Sequence, residues 1–194
     1  MMLSVRRLKP VIIAITLLLA AVPMAPVTAH AEGGLSSLLN ALKPSALFKR
    51  HKGVEPVTNE LYQEECGSCH FPFQPGLLPR RSWERLMAPK ALEDHFGDNA
   101  ELDARTRGSI LDFLSRHAAD DVWYKRSIKI RRSIPADEAP LRISEVPYIV
   151  RAHHEIEKES VKSNKAVRSM SNCERCHRKA ESGIFDDDTV QIPE

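Results

Sequence analysis

Cys66-Gly67-Ser68-Cys69-His70 and Cys173-Glu174-Arg175-Cys176-His177 together use every cysteine of this 194-residue chain. Cys-x-x-Cys-His is the attachment signature of c-type haem. Two cysteines three apart at the end of a helical turn reach the two vinyl groups of a porphyrin and form thioethers. The histidine that follows is then carried under the iron as its proximal ligand. The pattern implies two covalently bound haem c groups, with Cys66, Cys69, Cys173 and Cys176 binding them and His70 and His177 on the metals.

Other uses of paired cysteines fit less well. Two disulfides suit an exported chain but leave the histidine after each pair unexplained. A four-cysteine zinc site usually draws its pairs from closer together than the 107 residues between Cys66 and Cys173. A thioredoxin-like dithiol belongs in a βαβ setting, and the sequence shows none.

The start of the chain has a different character. Arg6, Arg7 and Lys9 precede an apolar run from Val11 to Val22, and Ala29-His30-Ala31 follows. This is the order of a secretory signal peptide over residues 1–31, which predicts a periplasmic protein beginning near Glu32. The apolar run is short for a transmembrane helix. The whole chain carries 28 Lys+Arg against 26 Asp+Glu, a net charge of +2. Three of those bases and none of the acids lie in residues 1–31, leaving 25 against 26, or −1. Nothing here asks for nucleic acid or for stable membrane insertion after cleavage.

Of the chain's thirteen prolines, all but Pro10, Pro23 and Pro26 lie in the remainder and cut it into short segments. The reading is mainly α: a linker over 32–57, a haem domain over 58–122, and a second over 123–194. The second includes an extended Pro-rich connection over 123–146. Thr58 or Asn59 caps a short helix running into Cys66. Phe71 to Pro79 reads as an apolar loop over a haem face. Ser82 is an N-cap candidate for a helix striped by Trp83, Leu86 and Met87. Pro89 interrupts that helix, and Ala88, Ala91, Leu92 and His95 continue it until Gly97. A further helix from about Asp103 carries Ile110, Phe113, Leu114 and His117 on one face. Ser127 to Arg131 alternates like a strand. After Pro147 a helix holds Ile149, His153 and Ile156. The last 17 residues, with Asp186-Asp187-Asp188, read as a solvated end, since calcium-loop spacing is missing.

The far side of each iron decides what it does, because a protein ligand closes it and an open position admits small molecules. For the first haem the candidates are His95, His117, Met87 and His51. His95 leads, on a small apolar face, whereas His117 and Met87 suit packing and His51 sits in a basic run. For the second, neighbouring helical residues point about 100° apart, so only one of His153 and His154 can coordinate. His153 shares a face with Ile149 and Ile156, which makes it the inward one. Met170 is the outsider. Two His/His irons imply low reduction potentials, since imidazole donates more electron density than a thioether.

Three groups of residues resemble the bacterial dihaem cytochrome c family. They are Tyr62 to His70; Leu77-Leu78-Pro79 with Arg81-Ser82-Trp83; and His95 to Ala100. Ala118-Ala119-Asp120, Arg142 to Glu145, and Asn172 to His177 are similar to it as well. The resemblance implies a class I cytochrome c-like first domain, a less common helical second domain, and bis-histidine ligation, with His95 and His153 as distal ligands. It implies redox partners such as an oxygen-binding monohaem cytochrome c or a membrane b-type cytochrome. The expected function is electron transfer rather than catalysis. A dihaem peroxidase needs an open iron and usually a longer chain, and a ligand-binding cytochrome of the four-helix type lacks its helical pattern here.

Overall fold

The computed structural model describes residues 51–194, which lie in a unit running from Phe48 to Glu194. The expected signal peptide at 1–31 and the expected linker up to residue 50 fall outside the described residues. Eight short α-helices follow one another: α1 Glu60–Gly67, α2 Arg80–Leu86, α3 Pro89–Glu93, α4 Ala104–Arg116, α5 Lys125–Ser133, α6 Pro147–Ala152, α7 Lys158–Ser163 and α8 Cys173–Cys176. Four 3₁₀ turns join them, at Pro75–Leu77, Ile143–Glu145, Ala180–Ser182 and Asp187–Thr189. Among the described residues no helix is long and apolar enough to cross a membrane.

Local chemistry sets the ends. The Asn59 side chain accepts from the amide of Tyr62 and starts α1, and Asp103 accepts from the amides of Arg105 and Thr106 to start α4. Pro89 opens α3 as its first residue, where its missing N–H costs nothing. Ser82 is no cap. It lies fully buried inside α2, which begins after Pro79.

The α4 face of Ile110, Phe113 and Leu114 packs on α1 and α2, with the Phe113 ring 5.7 Å from that of Tyr62. Leu78, Trp83, Leu86, Met87 and Leu92 complete this part of the core. Met87 is 5% exposed, so it is a packing residue. Residues 71–79 are more than a cover. Leu77, Leu78, Pro75 and Pro79 are buried in the centre, and the Trp83 indole N–H and the Tyr62 hydroxyl donate to the carbonyls of Pro75 and Phe73.

The stretch read as an extended connection contains α5, which corrects the strand expectation. Ile128 is buried as well, but the most buried face is Ser127, Ile130 and, just past the helix, Ile134. That spacing of three and four is helical, while Ile128 and Ile130 alone mimic a strand. The face was hidden because its first member is a serine. Gly76 meets it closely, and a Cβ there would stand 2.5 Å from the Ser127 Oγ.

The ends of the described chain are tied together. Val54 donates to the carbonyl of Gly183 at 2.9 Å, Lys125 to that of His51 and Arg126 to that of Gly53. Phe185 is buried, and Val190 bridges to His177, so the C-terminal residues fold back instead of forming a solvated end. The Gln74 amide donates to the carbonyl of Ala180, 106 residues away.

Gly183 has φ +71°, and a Cβ there would lie 2.1 Å from the carbonyl oxygen of Val54. Gly183→Ala is therefore expected to cost about 2 kcal/mol or more. Gly108, inside α4 with nothing within 4 Å, is the control. Gly108→Ala is expected to gain about 0.5–1 kcal/mol from helix propensity. Thermal unfolding of the two variants should move in opposite directions.

Candidate functional site

Each Cys-x-x-Cys-His segment ends a helix. Cys66 lies in the last turn of α1, with Cys69 and His70 just beyond it. Cys173 and Cys176 bound the single turn of α8, and His177 is its C-cap, its amide donating to the Cys173 carbonyl at 2.8 Å. No disulfide joins the four cysteines. Burial pushes the Cys66 thiol up to about 11, and Cys173 up to about 12. A reactive exchange thiol has a lowered pKa, and burial moves Cys66 and Cys173 the other way. Among the described residues no three His, Cys, Asp or Glu side chains gather as a zinc site requires.

His70 faces His95, with ring centres 6.3 Å apart and planes at 19°. His177 faces His153, with centres 5.9 Å apart and planes at 83°. Two metal–imidazole bonds of about 2.0 Å, plus the reach from each nitrogen to its ring centre, span roughly 6 Å. Both gaps therefore match one iron held between two imidazoles. The Nδ1 of His70 bonds the carbonyl of Phe71 at 2.7 Å, and that of His153 bonds the carbonyl of Ile149 at 2.8 Å. Those bonds leave Nε2 as the nitrogen for a metal. His177 has a buried Nδ1 with no partner in the chain. Burial, then the facing His153 and Arg126, lower its pKa to about 4. Burial, then the facing His70, lower that of His95. Neutral imidazole is the form that ligates, so the donor sets suit two haem irons.

His95 reaches its place by a route the sequence reading missed. α3 stops at Glu93, and His95 opens a tight turn in which His95 and Asp98 exchange backbone hydrogen bonds. Its central residues Phe96 and Gly97 have φ +59° and +106°, the signs a type I′ turn needs. The expected helical face is replaced by this turn, which still brings the His95 ring opposite His70. His153 likewise caps α6 instead of lying within it, and Ile156 is outside that helix.

The competing histidines are otherwise engaged. The Nδ1 of His117 pairs with Glu55 at 2.8 Å, and its ring packs on Phe113. His51 stacks on Tyr124, with centres 5.0 Å apart. The His154 side chain is 72% exposed and bonds the carbonyl of Arg151. What the sequence did not single out is Arg126 as a buried neighbour of His177, since it stood in a run of bases.

Comparison with known proteins agrees with the two haem-attachment motifs. The family model described as dihaem cytochrome c matches residues 62–185. A diheme cytochrome type c from Shewanella baltica OS155 is 39% identical, with a TM-score of 0.56 over 70% of this chain and 93% of that one. A diheme cytochrome c from Rhodobacter sphaeroides is also 39% identical, with a TM-score of 0.59 over 68% of this chain and 100% of that one. No curated protein matches. With two haem-attachment motifs, two facing histidine pairs and these relatives, the chain is a member of the dihaem cytochrome c family, carries two covalently bound haem c groups and belongs with electron-transfer proteins.

Proposed function

We propose that this protein is an exported, low-potential electron carrier with both irons closed by histidine. Cys66 and Cys69 bind the first haem, whose iron lies between His70 and His95. Cys173 and Cys176 bind the second, whose iron lies between His177 and His153. The first haem belongs to residues 58–122, the class I-like part, and the second to 123–194, around one shared core. The observation that carries the reading is the pair of imidazole gaps, 6.3 and 5.9 Å.

The haems supply one-electron exchange between ferric and ferrous iron. The chain sets how easily that happens. Two neutral imidazoles stabilise the ferric state more than a histidine–methionine pair does, and so lower the potential. Phe73 beside His70, Phe96 beside His95 and the buried Phe185 beside His177 pack on the rings and hold their orientation. Lys125, Lys129, Arg131 and Arg132 stand exposed along α5. They form a cationic face for an acidic redox partner, a monohaem cytochrome c or a membrane b-type cytochrome, and would speed its approach. The basic start, apolar run and Ala29-His30-Ala31 of residues 1–31 support export to the periplasm.

Matured protein is expected to lack residues 1–31 by mass, to hold two haems and to show low-spin spectra that carbon monoxide leaves unchanged. His95→Ala and His153→Ala should each open one iron, so that about half the haem binds carbon monoxide. His117→Ala and His154→Ala should open neither. A carbon monoxide shift in the unaltered protein would instead favour small-ligand binding or peroxidase-like chemistry at one haem.

The ring planes give a second test. Parallel axial imidazoles act on one iron d orbital and split it from its partner, whereas perpendicular ones leave the two nearly degenerate. Electron paramagnetic resonance of the ferric protein is expected to show an ordinary rhombic low-spin signal from the first haem, with planes at 19°. The second, at 83°, should give a strongly axial signal with a large maximal g value. Two identical rhombic signals would contradict the assignment.

A further inference from the structure

The bases of α5 are not one surface. Lys125, Lys129, Arg131 and Arg132 are exposed, but the Arg126 side chain is only 16% exposed. Its guanidinium is held between α6 and the C-terminal segment. Nη1 donates to the Tyr148 hydroxyl at 3.1 Å. Nη2 donates to the Phe185 carbonyl at 3.0 Å and to Oδ1 of Asp186 at 3.1 Å. The cation lies 6.0 and 5.9 Å from the ring centres of Tyr148 and Phe185. Phe185 in turn packs against His177, with ring centres 5.3 Å apart. The guanidinium is thus one aromatic ring away from an imidazole of the second pair.

Two features of this site are incompletely balanced. Arginine cannot shed its charge, so burying it requires compensating acceptors. Asp186 is the carboxylate bonded to it, and that side chain is 36% exposed, where water screens it. The Arg126 Nε–H is buried and has no acceptor in the chain. A donor of this kind, in a fork whose other nitrogens are engaged, fits a further anion. Haem brings two carboxylates.

We propose that Arg126 is a positioning residue for the second haem, keeping its Nε–H for a haem carboxylate and raising that haem's reduction potential with its fixed charge. The inference rests on the proposed ligation by His177 and His153. The sign follows from Coulomb's law. Taking up one electron from a redox partner lowers the charge of the haem site by one. A nearby cation favours the reduced state, and a nearby carboxylate favours the oxidised one.

The test uses the matured dihaem protein and its Arg126→Gln, Arg126→Lys and Asp186→Asn variants. Haem content and low-spin spectra come first. If the unaltered protein does not show two low-spin haems, the ligation reading fails and this inference with it. Spectroelectrochemical titration then reads both midpoints. Arg126→Gln is expected to lower one midpoint and leave the other in place. Asp186→Asn should raise that same midpoint, and Arg126→Lys should fall between Arg126→Gln and the parent. Unmoved midpoints, equal movement of both, or Arg126→Lys falling as far as Arg126→Gln would overturn the proposal. Should Arg126→Gln fail to mature, an unmoved pair of midpoints in Asp186→Asn overturns it alone.

Discussion

The separation of His70 from His95, with ring centres 6.3 Å apart, has to be set by parts of the chain remote from both rings. Two neutral imidazoles have no attraction strong enough to choose that distance. One ring of each pair is placed by its Cys-x-x-Cys helix, and the other by the end of a different short helix. α3 stops at Glu93 and the turn after it carries His95, while α6 stops at Ala152 and His153 caps it. Short helices are the consequence. A longer α3 would swing His95 round the helix axis by about 100° per residue. The pyrrolidine of Pro89 starts α3, and the left-handed turn at Phe96 and Gly97 ends the segment.

Both gaps depend on one continuous core. Buried residues from Val54 to Phe185 form a single cluster, and its members flank both cysteine motifs. Contacts between the first and last parts of the sequence are backbone-close. Val54 bonds Gly183, Gln74 bonds Ala180, and Gly76 leaves room for Ser127. Such contacts tolerate no added side chain, so the positions of the two histidine pairs relative to each other are fixed by packing and not by a tether. For an electron carrier this matters, because transfer between centres falls steeply with distance and a fixed separation fixes the rate.

Much of the chemistry was legible in the sequence and much of the architecture was not. The cysteine motifs were readable because covalent attachment demands a rigid spacing. The α4 stripe and its Asp103 cap were readable because period and cap agree. α5 was not, since Ser127 on its buried face scores as polar, and Ile128 and Ile130 mimic a strand. The end of the chain was not either. Asp187 and Asp188 are exposed, as a solvated end expects, but Phe185 is buried and Asp186 pairs with Arg126. Both misses share a cause: small or charged residues were buried by partners far away in sequence, which local pattern cannot reveal. His95 and His153 stand out in the sequence by apolar helical faces, and the structure replaces those faces with a turn and a cap while keeping each ring opposite its Cys-x-x-Cys-His histidine.

The two sites are not copies of each other, and under the proposed ligation the differences act in one direction. Near-parallel imidazoles at the first haem stabilise the ferric low-spin hole by concentrating their π donation on one orbital. Perpendicular ones at the second give less of that stabilisation. Each site also has an arginine, but the two differ in screening. Arg142 lies over the Phe96 ring at 4.0 Å, beside His95, with its side chain 45% exposed. Water damps a charge so placed. Arg126, at 16% exposure, keeps more of its field inside the protein. Ligand orientation and buried charge therefore both favour ferrous iron at the second haem. A single electron entering the protein would come to rest there, and the first haem, with the more negative potential, would hold its electron less tightly and pass it on more readily.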